Sequence, residues 1–168
     1  MTEPNAQQIQ VRPADLDWPG DAAAVVALLD AYAADPMGSG EPLPRDARDR
    51  MVPALRQVPG HLVLLAFAGE QAVGLAICFQ GFSTFRARPL LNIHDLAVLP
   101  DHRRQGVATA LLAAVESQAL RRGCCKLTLE VREDNPAAES LYRKLGFGAG
   151  SSAGGPAQYR FLEKRLGD

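Results

Sequence analysis

The chain has 168 residues, 47% hydrophobic and 22% charged. That is enough for one hydrophobic core and short of the usual length for two, so a single domain over residues 1–168 is expected. Eighteen basic against 19 acidic residues give a formal net charge of -1, so no overall positive field favours nucleic acid or an anionic membrane.

The longest apolar runs, Ala22 to Leu29 and Leu62 to Ala68, fall far below the ~20 residues that cross a bilayer. The opening MTEPNAQQIQVR carries no apolar core of a secretory signal, and a cytoplasmic protein is the expectation. Cys78, Cys124 and Cys125 fit neither a disulfide framework nor zinc-ligand spacing, so reduced thiols and no metal are expected.

In chain order, QQIQVRP (7–13) alternates polar and apolar residues as a short first strand does. Asp21 to Ala34 is Ala- and Leu-rich and is stopped by Asp35, Pro36 and the glycines that follow, which predicts a helix and then a surface loop. Arg45 to Gln57 predicts a second helix on the apolar stripe of Met51, Val52 and Leu55, with Pro53 opposing it. His61 to Ala68 and Gln71 to Phe82 flank the turn signal Gly69-Glu70 and predict an antiparallel hairpin.

The second half alternates. Leu90 to Leu99 predicts a strand, Gln105 to Arg122 a helix, Lys126 to Val131 a strand, and Pro136 to Leu145 a helix closed by Gly146. A last strand is expected at Gln158 to Glu163, after a glycine-rich flexible turn at 148–155. Strands followed by strand-helix alternation imply an α/β (α+β) chain with a mixed sheet covered by helices, and a right-handed crossover from the strand ending near Leu99 to the one starting near Lys126. Ligands of such sheets sit beyond the carboxyl ends of strands, which directs attention to residues 98–109.

There VLPDHRRQGVATALL (98–112) leaves a strand, turns, and enters a helix. Gly106 has no side chain and Ala108 almost none, so amides from about Arg104 to Thr109 are open to an anion, a pyrophosphate for instance. Arg103 and Arg104 add charge-assisted donors. The spacing is neither that of a P-loop nor that of a dinucleotide-binding turn. Two arginines and a glycine at a helix start are also an ordinary structural feature, and spacing alone leaves both readings open.

The segment resembles the Gln/Arg-x-x-Gly-x-Gly/Ala motif of the GNAT acyl-CoA N-acyltransferase superfamily, matched by Arg103, Gly106 and Ala108. The preceding HDLAVLPDHR resembles that family's fourth strand and turn, and NPAAESLYRKLGF (135–147) its later helix motif. FSTFRARPLLNIHDLAV (82–98) is similar to the polyamine and thialysine acetyltransferase branch, with His94-Asp95 where that branch has Glu-Asp.

The resemblance implies a largely antiparallel central sheet with splayed central strands, flanked by about four helices, and acetyl-CoA as co-substrate. Backbone groups of Leu96 and Val98 would pair with the pantetheine arm. Amides of Arg104, Gln105, Gly106, Val107, Ala108 and Thr109 would take the pyrophosphate, and Asn135 and Tyr142 would contact the cofactor arm.

It also implies that Tyr142 protonates the departing thiolate. As a core aromatic, Tyr142 needs no further role, and Asn135 before Pro136 is a good N-cap in any case. His94 is read as a base for the incoming ammonium, because imidazole titrates near neutrality; a histidine beside a carboxylate is equally a satisfied structural residue.

The resulting expectation is direct acetyl transfer to a small primary amine such as a diamine, polyamine or amino acid, in a homodimer. A protein N-terminal or lysine acetyltransferase and a noncatalytic acyl-CoA sensor are the competing readings. Asp30, Asp35 and Glu41 are candidate acidic groups for a cationic acceptor.

Overall fold

Proline and glycine punctuate this chain, and most element boundaries follow them. The structure, a computed structural model, describes residues 8–148 together with Lys164. It contains β1 (Ile9–Pro13), α1 (Pro19–Ala34), α2 (Arg45–Leu55), β2 (His61–Ala68), β3 (Gln71–Ser83), β4 (Arg88–Val98), a 3-10 turn (Pro100–His102), α3 (Val107–Arg121), β5 (Leu127–Leu129) and α4 (Pro136–Lys144). The chain divides into two compact units, Met1–Glu130 and Val131–Asp168. The first holds all five described strands and the second holds α4. The expected strand at 158–163 and the turn at 148–155, apart from Gly148, lie outside the described residues.

The sheet runs β1-β2-β3-β4-β5. Neighbours are antiparallel except β4 and β5, which are parallel and joined through α3. This is the mixed, largely antiparallel α+β architecture read from the sequence.

One face is covered by α1 and α2, whose Val25, Leu28, Val52 and Leu55 pack with Val63, Leu65, Leu75 and Ile77 of the hairpin. On α3, Val107, Leu111, Leu112, Val115 and Ala119 are buried, and this helix packs against β1 to β4. The close approach is made at Gly74, where a Cβ atom would stand 2.8 Å from Val107 Cγ1 and 3.1 Å from Leu111 Cδ1. Alternation along β3 assigns Leu75 and Ile77 to one cover and Gly74 to the other.

Pro19 starts α1 and Pro136 starts α4, as their fixed φ and missing N–H favour. α2 ends at Leu55, two residues before the expected Gln57. Pro53 lies inside its last turn, and Gln57 N–H and Val58 N–H donate to Ala54 and Leu55 in tighter three-residue turns.

The main departure is β5. It spans three residues rather than Lys126 to Val131, pairing only Leu91, Asn92 and Ile93 of β4 with Leu127, Thr128 and Leu129. Beyond that pairing, β4 changes register. Cys78 of β3 is opposite Ile93 and Ile77 is opposite Asp95, so His94 is an extra residue, a β-bulge. It reverses the direction in which the later backbone groups of β4 point.

Candidate functional site

The bulge decides what the end of β4 offers. Leu99 N–H donates to the carbonyl of Val73 directly opposite, at 2.9 Å. By antiparallel alternation Ala97 and Asp95 also bond toward β3, and the N–H and C=O groups of Leu96 and Val98 point to the other side. On that other side β5 pairs no residue beyond Ile93. Among the described residues, the first unit therefore has an open backbone edge at Leu96 and Val98. The Val98 carbonyl already accepts from Arg103 Nε at 3.1 Å, while no hydrogen bond to a Leu96 backbone group from outside the sheet occurs among the described residues.

Following the edge, Leu99 leads through the 3-10 turn into Arg103 to Gly106. Arg104 has φ 60 and Gly106 φ 82. Left-handed residues on either side of Gln105 make a turn of the kind whose successive N–H groups can form a concavity suited to anions. α3 begins at Val107 with Gly106 as its N-cap and no side-chain cap, two residues later than the expected Gln105. A positive φ takes both Arg104 and Gly106 out of helical conformation.

The first bond into the helix is Ala110 N–H to Gly106 C=O, 2.9 Å. Among the described residues, the N–H groups of Arg104, Gln105, Gly106, Val107, Ala108 and Thr109 donate to no other group. Arg104, Gln105, Gly106 and Thr109 are exposed, and a Cβ on Gly106 would meet nothing within 4 Å. Gln105 Nε2 donates to Asp101 C=O at 2.8 Å, which draws that side chain back along the turn.

Arg103 is placed differently from Arg104. Its Nη2 lies 2.6 Å from Asp35 Oδ2, in addition to the Nε bond to Val98. The Asp35 side chain is only 10% exposed. The Arg103 guanidinium, followed by the Met37 N–H on its Oδ1, holds this carboxyl below the usual carboxylate range. Asp30 is also committed, to the Leu43 N–H at 2.8 Å and to Arg48 at 3.5 Å. Two of the three acidic candidates for a cationic acceptor are thus engaged inside the protein.

The bulge also brings His94 and Asp95 together near the α1–α2 face. Nδ1 of His94 lies 3.1 Å from Asp95 Oδ2, and the His94 side chain is 62% exposed. The imidazole meets Phe79 edge-on, ring centroids 5.5 Å apart, and Phe79 packs against the α1–α2 cluster.

In the second unit, Asn135 Oδ1 accepts from Ala138 N–H at 3.1 Å and so caps α4. Tyr142, in the last turn of that helix, stacks edge-on with Phe147 at 5.8 Å. No cluster of three or more His, Cys, Asp or Glu suited to a metal occurs among the described residues, and no described helix is long and apolar enough to cross a membrane.

Known proteins resemble this chain in sequence and in fold. Residues 25–147 match the model of the acetyltransferase (GNAT) family. An acetyltransferase of Yersinia pestis (strain Pestoides F) is 46% identical over 56 residues, 33% of this chain and 40% of the relative, so the alignment spans about two fifths of that relative's length.

A crystal structure of an aminoglycoside N-acetyltransferase, AAC(6')-Iy in complex with CoA, superposes with TM-score 0.73 at 20% identity, covering 98% of this chain and 99% of that one. A ribosomal-protein-alanine N-acetyltransferase from Brucella melitensis biovar Abortus 2308 superposes with TM-score 0.68 at 23% identity, covering 92% and 100%. At such identities the two structures establish the common fold. With a family match over most of its length, an open β4 edge and a turn of unbonded N–H groups, the chain belongs to the acetyltransferase (GNAT) family.

Proposed function

We propose that this protein transfers the acetyl group of acetyl-CoA directly to a primary amine. The observation that carries the reading is the run of six N–H groups from Arg104 to Thr109 that no described protein group accepts from. Each contact of an anion with such a helix start is worth roughly 0.3 to 1 kcal/mol when exposed, and a diphosphate spans several of them. The pantetheine arm is assigned to the open edge at Leu96 and Val98, with Asn135 and Tyr142 contributing to cofactor contact by resemblance of their motif.

Acetyl-CoA, as the substrate, supplies the activated acetyl group. His94 takes a proton from the amine, and a backbone N–H near Val98 steadies the carbonyl oxygen as its charge grows. The new N–C bond forms as the C–S bond breaks, and the Tyr142 phenol delivers a proton to the sulfur. Asp95, at 3.1 Å, orients the His94 ring.

The acceptor is a small amine. The resemblance to the polyamine and thialysine branch and the aminoglycoside acetyltransferases among the structural relatives support this class. We further propose a homodimer, on the family resemblance. A protein-directed activity is the second reading, favoured by the fold shared with the ribosomal-protein-alanine N-acetyltransferase.

The test is thiol release from acetyl-CoA against a panel of diamines, polyamines, amino acids, aminoglycosides and peptides, alongside calorimetric CoA binding. Turnover with a small amine supports the reading. CoA binding without turnover for any member of the panel favours a sensor, and no CoA binding overturns the reading.

A further inference from the structure

Arg103 lies in the motif that marks the cofactor turn, yet its guanidinium points elsewhere. Nε donates to the carbonyl of Val98, five residues earlier on β4, and Nη2 donates to Asp35, 68 residues earlier at the end of α1. The Asp35 carboxylate is itself built in. Its other oxygen accepts Met37 N–H at 2.8 Å, its carbonyl accepts Gly38 N–H at 2.8 Å, and its N–H donates to Tyr32 C=O at 3.1 Å. The segment beyond it is tied back by Ser39 N–H and Gly40 N–H on Ala33 C=O and by Leu43 N–H on Asp30.

One planar side chain thus bridges three places: the last residue of the open β4 edge, the turn of unbonded N–H groups, and the segment that links α1 to α2. Nothing in sequence distance favours this pairing. Ordering a long side chain has an entropic cost, which a largely covered carboxylate and a two-point fork offset through charge-assisted bonds.

We propose that Arg103 is a positioning residue, a strut that sets the cofactor turn and the β4 edge in register with the α1–α2 segment, rather than a ligand of the diphosphate. The inference rests on the acetyl-CoA reading for what is positioned, and on the first unit's geometry alone for the strut. It has two consequences. Satisfying the Val98 carbonyl internally leaves the Val98 N–H and the Leu96 groups as the edge offered to pantetheine. It also couples the two ends of the strut, so that loosening Asp35 disturbs a turn it does not touch.

The test uses the full chain and two substitutions, Asp35→Asn and Arg103→Lys, the second keeping the charge but lacking the fork. Amide hydrogen exchange is read without ligand. Asp35→Asn is expected to speed exchange at Leu99, His102 and Arg103, and Arg103→Lys at Gly38, Ser39 and Gly40, each by about threefold or more, since local opening governs such rates. Calorimetry with CoA is expected to show a similar loss in both variants, about three- to tenfold, a modest coupling.

Exchange changes confined to the substituted side would overturn the strut. So would wild-type CoA affinity in Asp35→Asn alongside a loss in Arg103→Lys, which would make Arg103 a direct phosphate ligand. Should Asp35→Asn lose its cooperative melt, Asp35→Glu, which retains the charge and displaces the bridge, is expected to move the same amides. If the wild-type protein fails to bind CoA, the proposed function falls, while the exchange experiment still decides the strut.

Discussion

Cys78 and Tyr142 show how differently two residues of one chain are tuned. Cys78 is fully buried on β3, and burial, with the Arg122 charge only partly opposing it, pushes its thiol up to about 12. At neutral pH almost no thiolate forms, and the thiolate is the reactive species. A thiol reagent under native conditions is therefore expected to label Cys125, which is partly accessible, and to reach Cys78 only at the rate of unfolding, as mass spectrometry of a labelling time course will read. Labelling of Cys78 as fast as Cys125 would contradict its inert packing.

Tyr142 carries chemistry in the proposed mechanism, through its phenol alone. Tyr142→Phe keeps the ring that meets Phe147 and removes the proton donor. Turnover is expected to fall by about 10²- to 10⁴-fold, the usual weight of a general acid, with CoA affinity nearly unchanged in calorimetry. A wild-type rate would remove the phenol from the reaction.

Both residues were conspicuous in the sequence, Cys78 within LAICF and Tyr142 four residues before Gly146. The pairing of Arg103 with Asp35 was not. Asp35 reads locally as a helix stop, and no local pattern announces a partner 68 residues away.

At the scale of elements, the glycine and proline punctuation made most boundaries legible, because those residues act through their own backbone. The bulge at His94 left no such mark. LLNIHDLAV contains neither glycine nor proline, and the extra residue is visible only when β4 is laid against β3. That one insertion decides that Leu96 and Val98, rather than Asp95 and Ala97, face the side on which β5 pairs nothing beyond Ile93, so the site's form depended on pairing rather than on motif.

The seat of α3 depends on Gly74 in a similar way. A methyl group there would stand 2.8 Å from Val107 Cγ1 and 3.2 Å from the Ala97 carbonyl, and Val107 is the first residue of α3. Gly74→Ala is expected to cost about 1 to 3 kcal/mol, the range for overpacking, measured by urea unfolding. Because the displaced residue is next to Gly106, CoA affinity is expected to fall with stability. Unchanged stability would show that the helix start yields to a methyl group.

Across the whole first unit, α1 is tied down at both ends by ion pairs with distant residues. At its start, Asp21 is 1% exposed and takes both arms of Arg12 from β1, at 2.5 and 2.7 Å, together with the Asp15 N–H. At its end stands Asp35 with Arg103. Both carboxyls are held below their ordinary range, chiefly by hydrogen bonds from these arginines.

A carboxyl whose folded pKa is depressed binds fewer protons folded than unfolded, so its stabilisation is complete above the unfolded value of roughly 4 and is lost as pH falls through the folded one. Asp46 and Asp134 are also lowered, but they form exposed local pairs, which contribute little. The acid limb of stability is therefore expected to follow Asp21 and Asp35. Urea midpoints of the wild-type protein are expected to stay level from pH 7 to about 5 and to drop steeply below.

Asp21→Asn is expected to begin lower at pH 7, by about 1.5 to 3 kcal/mol for charged hydrogen bonds, and to decline less steeply into acid. If that variant follows the wild-type curve in parallel, the acid sensitivity arises elsewhere, and the ends of α1 are held by packing rather than by charge.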